Sequence, residues 1–470
     1  MPIELDYSDK NCENMRLEST SSREESISLN IDSKNVRVSI DNTMSQVFMN
    51  PLILDAIFAK LDLPDLKTSR LVCHDWNDVA STLLGKRAYL HVNKLFSYDA
   101  PNLGEMSPVN DQLMRRLLIS GLFYKEKPDF IVQALTQVTQ LTGEIKFFAS
   151  RKELVPLLLD RIRGLGSTKI QKIDLTSHWQ PNTKYTLPVQ ACQKLPPQPN
   201  LKLLRFNILS QFRHDQKTGC HEFQPLIQIW LDAAPNLTTL DVEASLYPDL
   251  EGCRNLKVLK FEFVTRYDYF PNFDVTKVTK MLGQVKDSLI ELELCQPMGN
   301  GPMEKVQPIH GGPVMSKLTR LSIHATNVFR IHDFFDETHF PKLKTFRVDN
   351  GFWKSSVLSH LNLWRRHRGV ASLSVTMNHW GLEEEEFWKQ MIHIFPTVKQ
   401  FELKMHNIDC IPLKRSMESF KMWDLEGVNV EVNWVKKSYV LIEVLKSVSV
   451  MKDSPTFQGY VRRNNESQYS

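Results

Sequence analysis

"PNLTTLDVEASLYPDLEGCRNLKVLKF", residues 235–261, holds two copies of one short pattern. Leu237-Thr238-Thr239-Leu240-Asp241-Val242 and Leu256-Lys257-Val258-Leu259-Lys260-Phe261 both read apolar-x-x-apolar-x-apolar. The alternation at the end of each copy is the period of a strand with one face in a core. Working outward, the same pattern opens at "IQKIDL" (170), "LKLLRF" (201), "LIELEL" (289), "LTRLSI" (318), "LKTFRV" (343), "VASLSV" (370) and "VKQFEL" (398). The starts recur mostly every 25–36 residues, with one interval of 19, and Pro199, Pro235, Pro341 and Pro396 each stand two residues ahead of a copy. One unit buries little by itself, whereas stacked neighbours share a continuous core.

This arrangement resembles irregular leucine-rich repeats, which implies a short strand along a curved parallel sheet and a helical return leg in each unit. "PLIQIWLDAAP" (225–235) and "SSVLSHLNLWRRHRG" (355–369) carry helical periodicity suited to such legs. "VNVEVNWV" (428–435) alternates as a last edge strand would, and "SYVLIEVLKSVSV" (438–450) is expected to cap that end as a helix.

Upstream, residues 50–80 read "NPLILDAIFAKLDLPDLKTSRLVCHDWNDVA". Leu54, Ile57, Phe58 and Leu61 share helical spacing after Pro51, and Pro64 ends that helix and starts another carrying Leu66, Arg70 and Cys73. Trp76, Val79, Ala80 and Leu83 repeat the spacing as far as Gly85. Three helices this short bury little among themselves, so their apolar surface calls for a covering partner. The order of apolar helix, Leu-Pro-Asp-Leu break and Leu-Val-Cys-x-x-Trp is similar to the F-box. That resemblance implies docking onto the Skp-type adaptor of a cullin–RING ubiquitin ligase through Pro51, Ile57, Leu61, Leu66, Leu71, Val72, Cys73 and Trp76. Where that family has Leu-Pro-x-Glu, this chain has Asn50-Pro51-Leu52-Ile53.

The expected organisation is α followed by α/β. An acidic, Ser-rich disordered tail (1–45) leads into a three-helix F-box (46–92). A helical linker or irregular first repeats (93–165) then precede a curved leucine-rich-repeat solenoid with a parallel sheet (166–435). A capping helix and frayed tail follow (436–470). The tail has too few large apolar groups to offset the entropy of ordering.

Bulk properties narrow the function. The formal charge is +4 over 470 residues, without the basic excess of a dedicated nucleic-acid binder. Seven cysteines are scattered with no Cys-x-x-Cys, which builds neither a disulfide framework nor a zinc site. The start has no secretory h-region, and 438–451 contains Glu443 and Lys446, too short and too charged to span a bilayer. The expectation is a cytoplasmic or nuclear protein with no membrane and no nucleic-acid partner.

No catalytic constellation stands out, so neither enzymatic activity nor a cofactor is expected. Gly299-Asn300-Gly301 precedes no helix, His332 and His339 lack further ligands, and Cys220 and His221, as chain neighbours, point apart. Glu383–Glu386 and Arg365, Arg366 and Arg368 read as charges at helix ends.

Residues alternating with the buried positions should line the concave side. Asp241, Glu243, Glu262, Glu291 and Glu293, from three successive strands, are expected to form an acidic patch offset only by Lys260, with Arg320 and Arg347 beyond it. These are the candidate substrate-binding residues, suited to a protein substrate with a basic segment. The function implied is a substrate receptor of an SCF-type ligase, linked through the adaptor to a cullin. The alternative is a leucine-rich-repeat scaffold that assembles no ligase.

Overall fold

The computed structural model describes residues 49–92, 110–120, 134–149, 154–179, 193–210, 223–263, 274–295, 311–324, 336–350, 364–378, 385–406, 422–433 and 456–462. Compact units divide after Lys60. The first contains helix α1 (Pro51–Phe58), which Asn50 caps by accepting from Leu52 N at 3.0 Å. Leu54 and Phe58, one turn apart, are its buried pair.

The second unit opens with α2 (Leu63–Ser69), capped by Asp62, and α3 (His74–Arg87). Leu66, Ala80, Leu83 and Leu84 are buried. Helix α3 ends at the sheet, where Arg116 donates to the Arg87 carbonyl at 2.9 Å and lies 4.2 Å over the Tyr89 ring. A 3-10 turn (Asp111–Arg115) packs so closely beneath α3 that a Cβ on Gly85 would fall 1.9 Å from the Gln112 carbonyl oxygen. Glycine is required there by space.

The rest is one fourteen-stranded sheet, its order identical to the chain order. The strands are β1 (Leu90–His91), β2 (Arg116–Ser120), β3 (Glu144–Ala149), β4 (Lys172–Trp179), β5 (Leu203–Ser210), β6 (Thr239–Glu243) and β7 (Val258–Glu262). They continue as β8 (Glu291–Cys295), β9 (Arg320–His324), β10 (Thr345–Asn350), β11 (Ser372–Asn378), β12 (Gln400–His406), β13 (Gly427–Asn433) and β14 (Thr456–Arg462). Neighbouring strands pair in parallel throughout, for example Leu240 with Leu259 and Leu259 with Leu292. All nine repeated fragments are strands β4–β12. Helices α4 (Leu154–Leu165), α5 (Gln224–Ala233), α6 (Val275–Val285) and α7 (Glu385–Ile394) lie between strands.

Every apolar position of the pattern is buried. The leading Leu201, Leu237, Leu256, Leu289, Leu318 and Leu343 join Leu240, Val242, Leu259, Phe261 and their equivalents in one continuous core. A staircase of hydrogen bonds fixes the register. The carbonyl before each of β3–β12 accepts two successive amides of the next unit, as when Lys202 O takes Thr238 N at 3.0 Å and Thr239 N at 2.9 Å. Lys257 O takes Ile290 N and Glu291 N in the same way. Asn200, Asn236 and Asn255 add side-chain bonds to the carbonyls of Thr168, Pro199 and Pro235.

The 19-residue interval is the link between β6 and β7, and no helix occupies it. Leu246, Leu250 and Cys253 fill the core in place of one. Gln224 and Gln228 of α5 and Gln284 of α6 hold its backbone at Tyr247, Asp249 and Leu250, with Leu250 N donating to Gln284 Oε1 at 2.8 Å.

Residues 93–165, expected to be either a helical linker or irregular first repeats, contribute strands β2 and β3 to the sheet. Two expectations change. Strand β13 is not the last, because Thr456–Arg462 pairs beside it within the segment expected to fray. Trp364–Gly369 are non-helical, so Arg365, Arg366 and Arg368 do not close a helix. Buried His367 holds that segment by bonding Phe340 O and Gly369 N. The return-leg helix expected over 355–369 has its first part outside the described residues. The 1–45 tail, the 438–450 cap, Gly299–Gly301, Cys220, His221 and His332 lie wholly outside them.

Among the described residues no helix is long and apolar enough to cross a membrane, and Cys73, Cys253 and Cys295 are free thiols. Replacing Gly85 by Ala is expected to destabilise the chain by about 1–3 kcal/mol through overpacking against backbone. Gly283→Ala, inside α6 with nothing within 4 Å of the new Cβ, should stabilise slightly. Urea melts of the two variants against the parent check both.

Candidate functional site

Alternation along each strand sends one set of side chains into the core and the other to the open sheet face. Register aligns that second set into rows. The middle row runs Lys146, Asp174, Arg205, Asp241, Lys260 and Glu293 across β3–β8, alternating in sign. Arg205 bonds Asp241 at 2.8 Å and Asp174 at 3.5 Å, and Lys260 bonds Glu293 at 3.0 Å. In the row before it, Glu144 takes Arg116 and Lys172, each at 2.8 Å, and Arg320 pairs with Glu291. Farther along, Lys404 bridges Glu402 and Glu431 at 3.3 and 3.5 Å.

The structure therefore brings Asp241, Glu243, Glu262, Glu291 and Glu293 onto one face, as the alternation predicts, but it does not leave them as an acidic patch. Arg205 and Arg320, as well as Lys260, neutralise three of the five. Sequence reasoning missed this because sign pairing depends on which residues fall opposite one another, and register is not written in a single strand. Burial raises the pKa of Glu144, but hydrogen bonds from Lys172, Tyr89 and Arg116 outweigh it and hold the carboxyl below the usual range.

Glu243 is different. Its partner is an amide, Asn207 Nδ2, and its register neighbours are Asn207 and Glu262. Burial, then the charges of Glu262 and Asp241, push its carboxyl up to about 7 against the pull of Arg205. Burial also raises the Cys295 thiol, next to Glu262 in the same row, with the surrounding carboxylates adding to the effect. Arg347 stands between Ser322 and Ser374 in register and forms no ion pair among the described residues.

A second candidate is apolar. Of the ten large hydrophobic residues exposed among the described ones, seven fall within residues 49–72: Met49, Leu52, Ile53, Ile57, Leu63, Leu71 and Val72. In the first unit, Leu52 is 82% exposed and Ile57 42%, while Leu54 and Phe58 are buried. In the second, Leu71 is 85% and Val72 60% exposed, in the turn between α2 and α3.

Of the eight residues expected to meet an adaptor, Pro51, Ile57, Leu71 and Val72 are exposed, while Leu61, Cys73 and Trp76 are half-buried. Leu66 is fully buried and belongs to the core of its unit. Met49, Leu52, Ile53 and Leu63 were overlooked, since periodicity marks apolar stripes without saying which stripe faces inward.

The described residues contain no group of three His, Cys, Asp or Glu side chains able to hold a metal. His339 instead bonds Asp336 at 2.8 Å within a turn. No protein-family model matches this chain, and no curated protein matches it either.

The raised Glu243 pKa has a definite sign in stability. The folded chain holds that proton where the unfolded chain has lost it, so the contribution is complete below pH 4.5 and lost as pH rises through about 7. Glu243→Gln is expected to melt higher than the parent at pH 8, with the difference shrinking towards pH 5. Thermal melts of the two proteins across that range check it.

Proposed function

We propose that this chain is a substrate receptor of an SCF-type ubiquitin ligase, residues 46–92 being an F-box that docks a Skp-type adaptor. The observation that carries the reading is the crowding of exposed apolar side chains into residues 49–72. Single exposed hydrophobic residues are ordinary on a protein surface, but adjoining ones such as Leu52 and Ile53 in the first unit, or Leu71 and Val72 in the second, favour an interaction site in each. The Leu-Pro-Asp-Leu break and Leu71-Val72-Cys73-x-x-Trp76 then favour the adaptor over other partners, and through it a cullin.

The sheet would serve as the inner face of a curved leucine-rich-repeat solenoid. Helices are about 10 Å wide and strands about 4.8 Å apart, so the helical side is the broader one and the sheet lies inside the bend. A protein substrate held there is presented to the ubiquitin-charged enzyme, and the gain is local concentration rather than bond chemistry. The receptor itself would need neither a cofactor nor a catalytic residue.

Co-purification of the full chain with a Skp-type adaptor tests this. A stoichiometric complex is expected, lost in Leu52→Asp combined with Leu71→Asp and with melting unchanged, because both side chains are exposed. Leu66→Ala should lose the complex together with about 2–5 kcal/mol of stability. A folded chain that forms no complex would overturn the reading and leave the repeats as a scaffold.

A further inference from the structure

Glu243 and Arg347 both stand outside the ladder of ion pairs on the sheet face. Glu243 on β6 is held by an amide, with Arg205 engaged by Asp174 and Asp241 instead. Arg347 on β10 has a solvent-shielded Nε with no acceptor among the described residues, and its register neighbours are the hydroxyl residues Ser322 and Ser374. Ser374 gives its hydroxyl to Glu402 at 2.6 Å. Diagonal to Arg347, Thr376 is 2% exposed and its hydroxyl also lacks a partner. Asp349, two residues along β10, forms no ion pair with Arg347 among the described residues. Between the two sites Glu293 is matched by Lys260, while Glu262, beside Glu243 in register, adds a second carboxylate at that end.

Four strand intervals separate β6 from β10. At about 4.8 Å per interval the two charges lie about 19 Å apart across the strands. A chain extended at about 3.3 Å per residue covers that span in five or six residues. We propose that the sheet face holds an extended segment of a partner protein, with a Lys or Arg at Glu243 and an anionic side chain five or six positions away at Arg347. A guanidinium suits a carboxylate or a phosphate through the same pair of parallel hydrogen bonds. This rests on the sheet being the partner-binding surface, and it deepens that reading by giving the partner a charge pattern. A merely basic segment would leave Arg347 facing a like charge.

The test is fluorescence anisotropy at low salt and pH 8, where Glu243 is ionised, using the full chain and labelled 14-residue peptides of Ser, Thr and Ala. The peptides carry Lys and Glu six positions apart in either order, Lys and phosphoserine at the same spacing, Lys and Glu two positions apart, or either charge replaced by Gln. With the parent chain, one order at the six-residue spacing should bind about tenfold tighter than the two-residue spacing or either Gln peptide.

In Glu243→Gln the Lys→Gln peptide change should cost nothing further, and in Arg347→Met the same should hold for Glu→Gln, while the crossed combinations still lose affinity. Phosphoserine outbinding Glu would identify a modified segment, and the reverse an unmodified one. If Arg347→Met lowers the melting temperature, Arg347→Lys, which keeps the charge but not the fork, should bind the Glu peptide at intermediate strength. No saturable binding to the parent, or equal losses in every combination, would overturn the proposal. Adaptor co-purification reads residues 49–72 alone, so failure there and failure here are separate outcomes.

Discussion

The fold depends on one constraint: no strand of this sheet can bury its apolar side alone. Each contributes two or three core residues, such as Leu240 and Val242 on β6, whose cover comes from the units on either side. The staircase from Gly143 O to Lys399 O holds those units in step, since one carbonyl engaging two amides of the next unit leaves no room for a slip. A shift of one residue would turn the whole apolar set towards solvent. The same stack receives the helices of the second unit at its start, through Arg116, Tyr89 and Glu144, so that anchoring and stacking are one structure.

On the open face the organising force is different. The ion pairs there are partly exposed, and each contributes at most about 1 kcal/mol. Their effect lies in what they remove. By meeting Asp241, Glu291 and Glu293 with Arg205, Arg320 and Lys260, the ladder cancels most of the long-range field and leaves discrimination to the few groups outside it. A face with one strong sign would attract many partners, whereas a balanced one selects by position.

Much of the architecture is legible in the amino-acid sequence, for a physical reason. The pattern at 170–403 repeats because the same three side chains must be buried in each unit, and the strand follows from their spacing. Strands β1, β3 and β14 pair without the full pattern: Leu90–His91 is two residues long, and Gly459 stands at a core position of Thr456–Arg462. Strand β2 does carry it, at Met114, Leu117 and Ile119, a copy the sequence reading passed over. The helical segment was legible in its caps and breaks at Asn50-Pro51 and Asp62–Pro64, but not in its inner and outer stripes. Leu66 and Leu71 look alike in sequence, and only packing sends one to the core and leaves the other bare. The Glu243 and Arg347 exceptions needed register, which arises between strands rather than within one.

The strict agreement between strand order and chain order also has a mechanical side. Tension applied through the last strand loads only the ladder it shares with its predecessor, and when that gives way the load passes to the next. The sheet would therefore yield in steps of one unit under modest force, unlike a sheet whose terminal strands lie side by side in its middle and must be sheared together. A machine pulling on the chain from its C-terminal end would meet the repeats one at a time and reach the helices beside β1 last.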